Sequence, residues 1–150
     1  MLFRSISGTT TKSVSLTTAS AYITAETTIG AATYTDLTGA SISLVAGTWV
    51  IMASIYAKSA ANTPINVSGA ILDGSNNVVT EGQNSTGAMG AGNVGYVCIT
   101  LHGIVSPVGT TTYKLSAARN SPTNNATADD GNAVNANSDK GTYIFAIRIA

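Results

Sequence analysis

The chain has 150 residues, a formal net charge of zero and only 9% charged residues. With no excess of Lys and Arg to neutralise phosphates, the sequence argues against binding to nucleic acid or to an anionic membrane surface. No apolar run reaches the roughly 20 residues that a membrane-spanning helix needs. Neither nucleic acid nor a membrane is therefore an expected partner.

The composition favours an all-β chain. Ala, Thr, Ser, Gly and Asn together make up more than half of the residues, whereas the helix formers Glu, Lys, Leu and Gln are scarce. Thr supports strands, and Gly and Asn serve tight turns. A chain of this length is one domain in size and can bury most of its apolar surface in a single core.

The first 21 residues are predicted to be an N-terminal arm or edge strand. They are rich in Ser and Thr and show only short β-like alternations, as at Val14 and Leu16. The opening MLFRSISGTTTKS lacks the apolar core of a secretion signal, which predicts synthesis in a cytoplasm. Residues 22–150 form the predicted domain.

Nine short strands are predicted within this domain, separated by turn signals such as Val45-Ala46-Gly47, Asp73-Gly74-Ser75 and Pro107-Val108-Gly109. The predicted strands are Tyr22–Thr24, Tyr34–Asp36, Ile42–Leu44, Thr48–Lys58, Ile65–Asp73, Val78–Glu81, Val94–Ser106, Thr111–Ala118 and Tyr143–Ala150. Their spacing indicates an antiparallel sandwich or barrel.

The predicted strand 48–58 is apolar on both faces. One face carries Trp49, Ile51 and Ile55, which we expect in the core, and the other carries Val50, Met52 and Tyr56. The predicted strands 94–106 and 143–150 have the same double-sided character. A strand that is apolar on both faces is typical of one that is buried twice.

Two segments are predicted to be surface loops. Residues 82–93 are rich in Gly, and residues 119–142 are long, polar and almost free of large apolar groups. A loop of that length is either a functional contact or a plain solvated loop. Its Asp129, Asp130 and Asp139 carry oxygen ligands suited to calcium, but they lack the spacing of a known calcium loop, and no metal is predicted.

The sequence offers little catalytic chemistry, and we expect no enzyme and no cofactor. His102 is the single histidine and Cys98 the single cysteine. Four residues along a strand place them roughly 13 Å apart, too far for direct contact. Cys98 lies in an apolar run and is interpreted as a small buried residue. The glycine pattern at 90–95 precedes a β-like run rather than a helix, which argues against a dinucleotide site.

The strand and turn pattern resembles that of phage structural proteins with a trimeric jelly roll, similar in fold to tumour-necrosis-factor and complement-head domains. The pattern comprises YTDLTGASISLVAGTWVIMASIYAK at 34–58, AILDGSNNVVTEG at 70–82, VCITLHGIVSPVGTTTYKLSAA at 97–118 and GTYIFAIRIA at 141–150. It covers about residues 22–150. The resemblance implies an antiparallel jelly-roll β-sandwich and a homotrimer in which one sheet of each subunit faces its neighbours.

This resemblance accounts for the double-faced strands, whose second face would lie against another subunit. Tyr combines a large buried area with a polar end and is enriched at interfaces. The predicted trimer-interface residues are Tyr56, Tyr96, His102, Tyr113 and Tyr143. The alternative is a monomer in which the N-terminal arm covers the second sheet face.

Phage proteins with this domain serve as capsid decoration (cement) proteins or as receptor-binding fibre knobs. The chain shows only a short arm and no coiled-coil or triple-β shaft, which favours a decoration protein on the virion surface with the major capsid protein as partner. The alternative is a knob or short fibre that binds a glycan or protein receptor on the host surface. The arm residues predicted to attach to the capsid are Leu2, Phe3, Ile6, Val14 and Leu16.

Overall fold

Alternating apolar residues separated by turns produce ten β-strands in the computed structural model, which describes residues 16–59, 63–86, 92–120, 126–128 and 141–150. Within these ranges no helix is present that could span a membrane. The strands are β1 (Thr18–Tyr22), β2 (Thr27–Ile29), β3 (Thr35–Leu44), β4 (Trp49–Ser59), β5 (Asn66–Asp73), β6 (Val78–Ser85), β7 (Tyr96–Val105), β8 (Thr111–Arg119), β9 (Ala126–Ala128) and β10 (Tyr143–Arg148).

The larger sheet is built around β4. One edge of β4 pairs antiparallel with β7 from Trp49 to Lys58. The other edge pairs first with β10 and then with β9, while β1 and β2 lie outside β10 and β9 respectively. The long apolar strand that the sequence predicts at 48–58 is therefore the central strand of this sheet.

The smaller sheet has the order β3-β8-β5-β6, with all neighbours antiparallel. The eight longer strands thus form two four-stranded layers, β1-β10-β4-β7 and β3-β8-β5-β6, and the chain crosses repeatedly from one layer to the other. Eight antiparallel strands in two such sheets are the architecture of a jelly roll. The predicted all-β jelly-roll sandwich is confirmed.

The core lies between the inner faces of the two sheets. On β4 the inward residues are Trp49, Ile51, Ala53, Ile55 and Ala57, each at most 2% exposed, as the sequence predicts. The Trp49 indole donates a hydrogen bond to the Val45 carbonyl at 3.0 Å, which satisfies its only polar atom.

A close approach of the two sheets depends on glycine. Gly69 of β5 lies opposite Gly82 of β6, and both face the larger sheet. A Cβ on Gly69 would lie 2.4 Å from Ile55 Cδ1, and one on Gly82 would lie 3.2 Å from Leu101 Cδ2. The absence of side chains at these two positions lets the isoleucine and leucine of the facing sheet pack in their place.

The prediction of two strands at 34–36 and 42–44 is wrong, because β3 is continuous from Thr35 to Leu44. Its pairing with β8 shifts between Asp36 and Ser41, which is the sign of a β-bulge. Gly39 lies in this bulge with a φ of 93°, a backbone conformation that favours glycine. The bulge breaks the strict alternation that identifies a strand from sequence.

The prediction that residues 119–142 form a loop throughout is wrong at β9. Ala126 and Ala128 are fully buried, and the three residues pair with both β2 and β4. Alanine is small and common in loops, so Ala126 and Ala128 did not form a hydrophobic pattern that would predict a strand. The predicted boundary between residues 21 and 22 falls inside β1, the outermost strand beside β10.

Thr142 fills the gap that remains along β4 between β10 and β9. Its hydroxyl accepts a hydrogen bond from the Tyr56 amide at 3.0 Å and donates to the Tyr56 carbonyl at 3.2 Å. Thr142 is fully buried. One side chain thus replaces the missing strand partner of one residue, which satisfies two backbone groups that would otherwise be costly to bury.

Candidate self-association surface

Four strands of the larger sheet turn a common outer face away from the smaller sheet. Cross-strand partners in an antiparallel sheet lie about 4.5–5.5 Å apart, so paired residues form continuous rows on this face. The rows are Thr18–Ile147–Val50–Ile104, Ser20–Phe145–Met52–His102 and Tyr22–Tyr143–Ser54–Thr100.

Large apolar side chains on this surface are open to solvent in the single chain. Ile104 is 69% exposed, Ile149 57% and Tyr96 50%, and Tyr22 and Tyr143 are each 41% exposed. We define the apolar face as Tyr22, Val50, Met52, Tyr56, Tyr96, Ile104, Tyr143, Phe145, Ile147 and Ile149. Contiguous apolar patches of this kind on a protein surface mark contacts with another molecule.

Two tyrosines extend the apolar face towards the far end of β4. The rings of Tyr56 and Tyr96 stack with their centroids 5.3 Å apart and their planes 15° apart. The register explains the contact, because Tyr56 pairs with Cys98 and Lys58 pairs with Tyr96, which makes the tyrosines diagonal neighbours on one face. Lys58 forms an ion pair with Glu26 at this end.

The structure brings four of the five predicted interface residues onto one surface. Tyr56, Tyr96, His102 and Tyr143 all project from the outer face of the larger sheet. Tyr113 does not belong to this surface. It lies in β8 of the smaller sheet, is 5% exposed and is part of the core. Burial, with a smaller effect from the charge of Asp73, raises the pKa of the Tyr113 hydroxyl.

Sequence reasoning chose Tyr113 for its residue type and overlooked its neighbours. Tyr113 alternates with Leu115 and Ala117, both fully buried, and this pattern assigns it to the inner face. The same reasoning left out Ile104 and Ile147 from the interface. Ile104 lies two residues from His102 and Ile147 four residues from Tyr143, which places each on the same strand face as a predicted interface residue, and this spacing could have identified them.

Cys98 and His102 both lie on this outer face. The interpretation of Cys98 as a buried residue is wrong, because its side chain is exposed, with its Sγ 3.3 Å from the Ser54 hydroxyl. His102 is exposed and pairs with Met52. Among the described residues, no three His, Cys, Asp or Glu side chains come together as metal ligands.

The predicted capsid-attachment arm is described only at its end. Leu16 is 60% exposed, and the backbone amide of Arg148 donates to the Thr17 carbonyl at 2.9 Å, which extends the pairing of β1 with β10. Leu2, Phe3, Ile6 and Val14 lie outside the described residues, as do Asp129, Asp130 and Asp139.

The outer face of the smaller sheet is polar. Asp36 accepts hydrogen bonds from Lys114 and from Ser116, each at 2.6 Å. Burial acts to raise the pKa of Asp36, but these hydrogen bonds and the Lys114 charge outweigh it, so the pKa lies below its ordinary value. On the same face the Tyr34 hydroxyl donates to Glu81 Oε2 at 3.1 Å.

No family model matches this chain, and no curated protein matches it. Among solved structures it is similar to a chain from "Structure of infectious bursal disease virus Gt strain", with a TM-score of 0.42 and 9% sequence identity. The match covers 90% of this chain and 38% of the viral chain. At 9% identity it does not transfer a function to this chain.

Proposed function

We propose that the protein is a homotrimeric, non-enzymatic structural protein of a virus, which decorates the capsid surface by binding the major capsid protein. The observation that carries the proposal is the apolar face of the larger sheet. An isoleucine or tyrosine that is half exposed in the single chain gains on the order of 1–2 kcal/mol when a partner buries the rest of its surface. Several such side chains lie side by side here.

A second copy of the chain is a suitable partner for this face. The face carries few charges, so its burial against a like surface brings little electrostatic repulsion or desolvation cost. Its Tyr side chains retain hydroxyl groups that can stay hydrated at the rim of an interface. The number of subunits, three, follows from the resemblance of the chain to phage jelly-roll proteins.

The proposed attachment to the capsid uses the N-terminal arm. The exposed Leu16 lies two residues before β1, and the arm residues before it include Leu2, Phe3 and Ile6. Apolar residues on an otherwise polar segment gain free energy by burial on a partner. Three arms on one trimer would act together, so a modest affinity per arm can give strong attachment.

Two measurements test the proposal separately. Light scattering on the purified protein should give three times the 15.1 kDa of one chain. A chain shortened by residues 1–16, which leaves β1 intact, should still give three times its own, smaller chain mass but lose most of its binding to capsids that lack the protein. A monomer at micromolar concentration contradicts the trimer, and undiminished capsid binding contradicts attachment by the arm.

A further inference from the structure

The polar outer face of the smaller sheet contains a cavity of about 280 Å³. It is lined by Tyr34, Ser68, Glu81, Gly82 and Gln83. These residues come from β5, β6 and the residue just before β3, so the cavity lies on the sheet itself rather than in a loop. Neither the fold nor the proposed self-association uses it.

A bridge between the two edge strands forms one wall of the cavity. Tyr34 precedes β3 and Glu81 lies in β6, and these edge strands are three strand spacings apart, or roughly 14 Å. The two side chains therefore extend towards each other across β8 and β5 to make their 3.1 Å hydrogen bond. Ala70 and Ser116 belong to the outer face beneath them, yet both are fully buried, which indicates that the bridge covers them.

The polar groups around the cavity are held in place by neighbouring side chains. The amide of Asn120 donates to the Ser68 hydroxyl at 3.1 Å and to Asn66 Oδ1 at 3.2 Å. Gln83 pairs with Ser68 across β5 and β6, so its amide projects from the same face. The cavity thus presents a carboxylate, an amide and a hydroxyl beside the ring of Tyr34. The carboxylate accepts hydrogen bonds, and the amide and the hydroxyl can both donate and accept them.

The charge at the cavity disfavours an anionic ligand. The Glu81 carboxylate repels an anion, and Lys114, on the same outer face of the sheet, forms an ion pair with Asp36. A carboxylate that accepts two adjacent hydroxyls, together with an aromatic ring that packs against C–H groups, is suited to a sugar ring. The volume is just below the roughly 300 Å³ at which drug-sized ligand sites begin, so it accommodates about one such ring.

We propose that this cavity binds one pyranose unit of a saccharide. The Glu81 carboxylate accepts hydrogen bonds from sugar hydroxyls, Gln83 and Ser68 bond to a third, and the ring of Tyr34 packs against the apolar side of the sugar. The proposal does not depend on self-association. The cavity is on the sheet opposite the apolar face, so it stays open whether the chain is a monomer or a trimer. A single shallow unit predicts millimolar affinity, on the order of −4 kcal/mol.

The experiment uses the full chain labelled with ¹⁵N and titrated with methyl α-glucopyranoside, methyl β-galactopyranoside and methyl β-N-acetylglucosaminide, with glycerol as a small polyol for comparison. At least one glycoside should give saturable amide shifts at Ser68 and at residues 81–83, at concentrations where glycerol gives none. No saturable shift with any of the three glycosides overturns the proposal. So do shifts that glycerol reproduces at the same concentration.

Two variants locate the site. Tyr34→Ala and, separately, Glu81→Gln should each weaken glycoside binding about tenfold or more, equivalent to about 1.4 kcal/mol. Ser43→Ala is the matched control, because Ser43 is exposed on the same sheet, is not part of the cavity lining, and has its hydroxyl 3.3 Å from that of Thr112. If both variants fold, as their amide spectra would show, and bind as tightly as the control, the saccharide site is not this cavity. If Tyr34→Ala does not fold, Glu81→Gln alone decides.

Discussion

The two outer faces of the sandwich differ although the two inner faces are alike. On the larger sheet Tyr143 and Phe145 project from β10 and Ile104 from β7, on the two sides of β4, with few charges among them. The outer face of the smaller sheet carries Asp36, which bonds to Lys114 and Ser116, and Glu81, which accepts a hydrogen bond from Tyr34. Formation of a core requires only the inner faces to be apolar. Folding does not require the outer face of the larger sheet to be apolar, and its apolar character therefore supports a contact with another molecule.

The strongest test of this comparison places one charge on each outer face. Ile104→Asp should leave the single chain folded, because Ile104 is 69% exposed, but it should dissociate the proposed trimer. An unpaired charge buried in an interface costs about 3 kcal/mol, or roughly 100-fold in association. Sedimentation at several concentrations measures the shift to monomer.

Val78→Asp is the matched control for this substitution. Val78 is 50% exposed in β6 of the smaller sheet, on the opposite side of the sandwich. This variant should associate like the unmodified chain. Equal sedimentation of both variants with the unmodified chain would mean that the apolar face is not the contact surface.

The second prediction concerns the inner faces, where the two sheets must approach closely. Gly69→Val places branched atoms against Ile55, whose Cδ1 lies 2.4 Å from the position of a Cβ. Overpacking of this kind lowers the free energy of unfolding by about 1–3 kcal/mol. Chemical denaturation measures the loss. Gly109→Ala, where no atom lies within 4 Å of the added Cβ, should change stability little, and an equal effect of the two would argue against tight sheet packing at Gly69.

The third prediction concerns Thr142, which fills the gap along β4 between β10 and β9. Thr142→Val keeps the shape of the side chain but removes the hydroxyl that bonds to the amide and carbonyl of Tyr56. Leaving buried backbone groups unsatisfied costs about 1–2 kcal/mol. Thr142→Ser retains the hydroxyl and should lose less. The interpretation fails if the serine variant is the less stable of the two in urea denaturation.

The smallest expected effect is the pH dependence of the polar face. The pKa of Asp36 is lowered in the folded chain, so its contribution to stability is complete above the unfolded value of about 3.9 and is lost as the pH falls through the folded value. The folded chain loses stability between neutral and strongly acid pH, and Asp36→Asn should make this loss smaller. The difference should be less than about 1 kcal/mol, because the Asp36–Lys114 pair is partly exposed. Thermal melts across that range test it, and Lys114→Gln should act in the same direction. An unchanged acid dependence would show that this pair does not contribute.

The sequence alone determined most of the longer strands, including β4, β5, β7, β8 and β10, and the two-sided character of several of them. Alternation with a period of two is a local property, so the inward position of Trp49, Ile51 and Ile55 and the outward position of Val50 could be predicted. The composition, poor in helix formers and rich in Thr, Gly and Asn, predicted the all-β class, because secondary-structure propensity is also a local property. Resemblance to phage proteins added the jelly-roll arrangement.

Only the tertiary structure decided which strands share a face. Tyr56 meets Tyr96, and Tyr34 meets Glu81, through pairings between residues about 40 or more positions apart in the chain. The same long-range pairings assign Tyr113 to the core, make a strand of Ala126–Ala128 and place Thr142 beside Tyr56. Alternation along a strand predicts which side chains share a face of that strand. It does not say which sheet the strand joins, because that depends on the packing of the whole chain around one core.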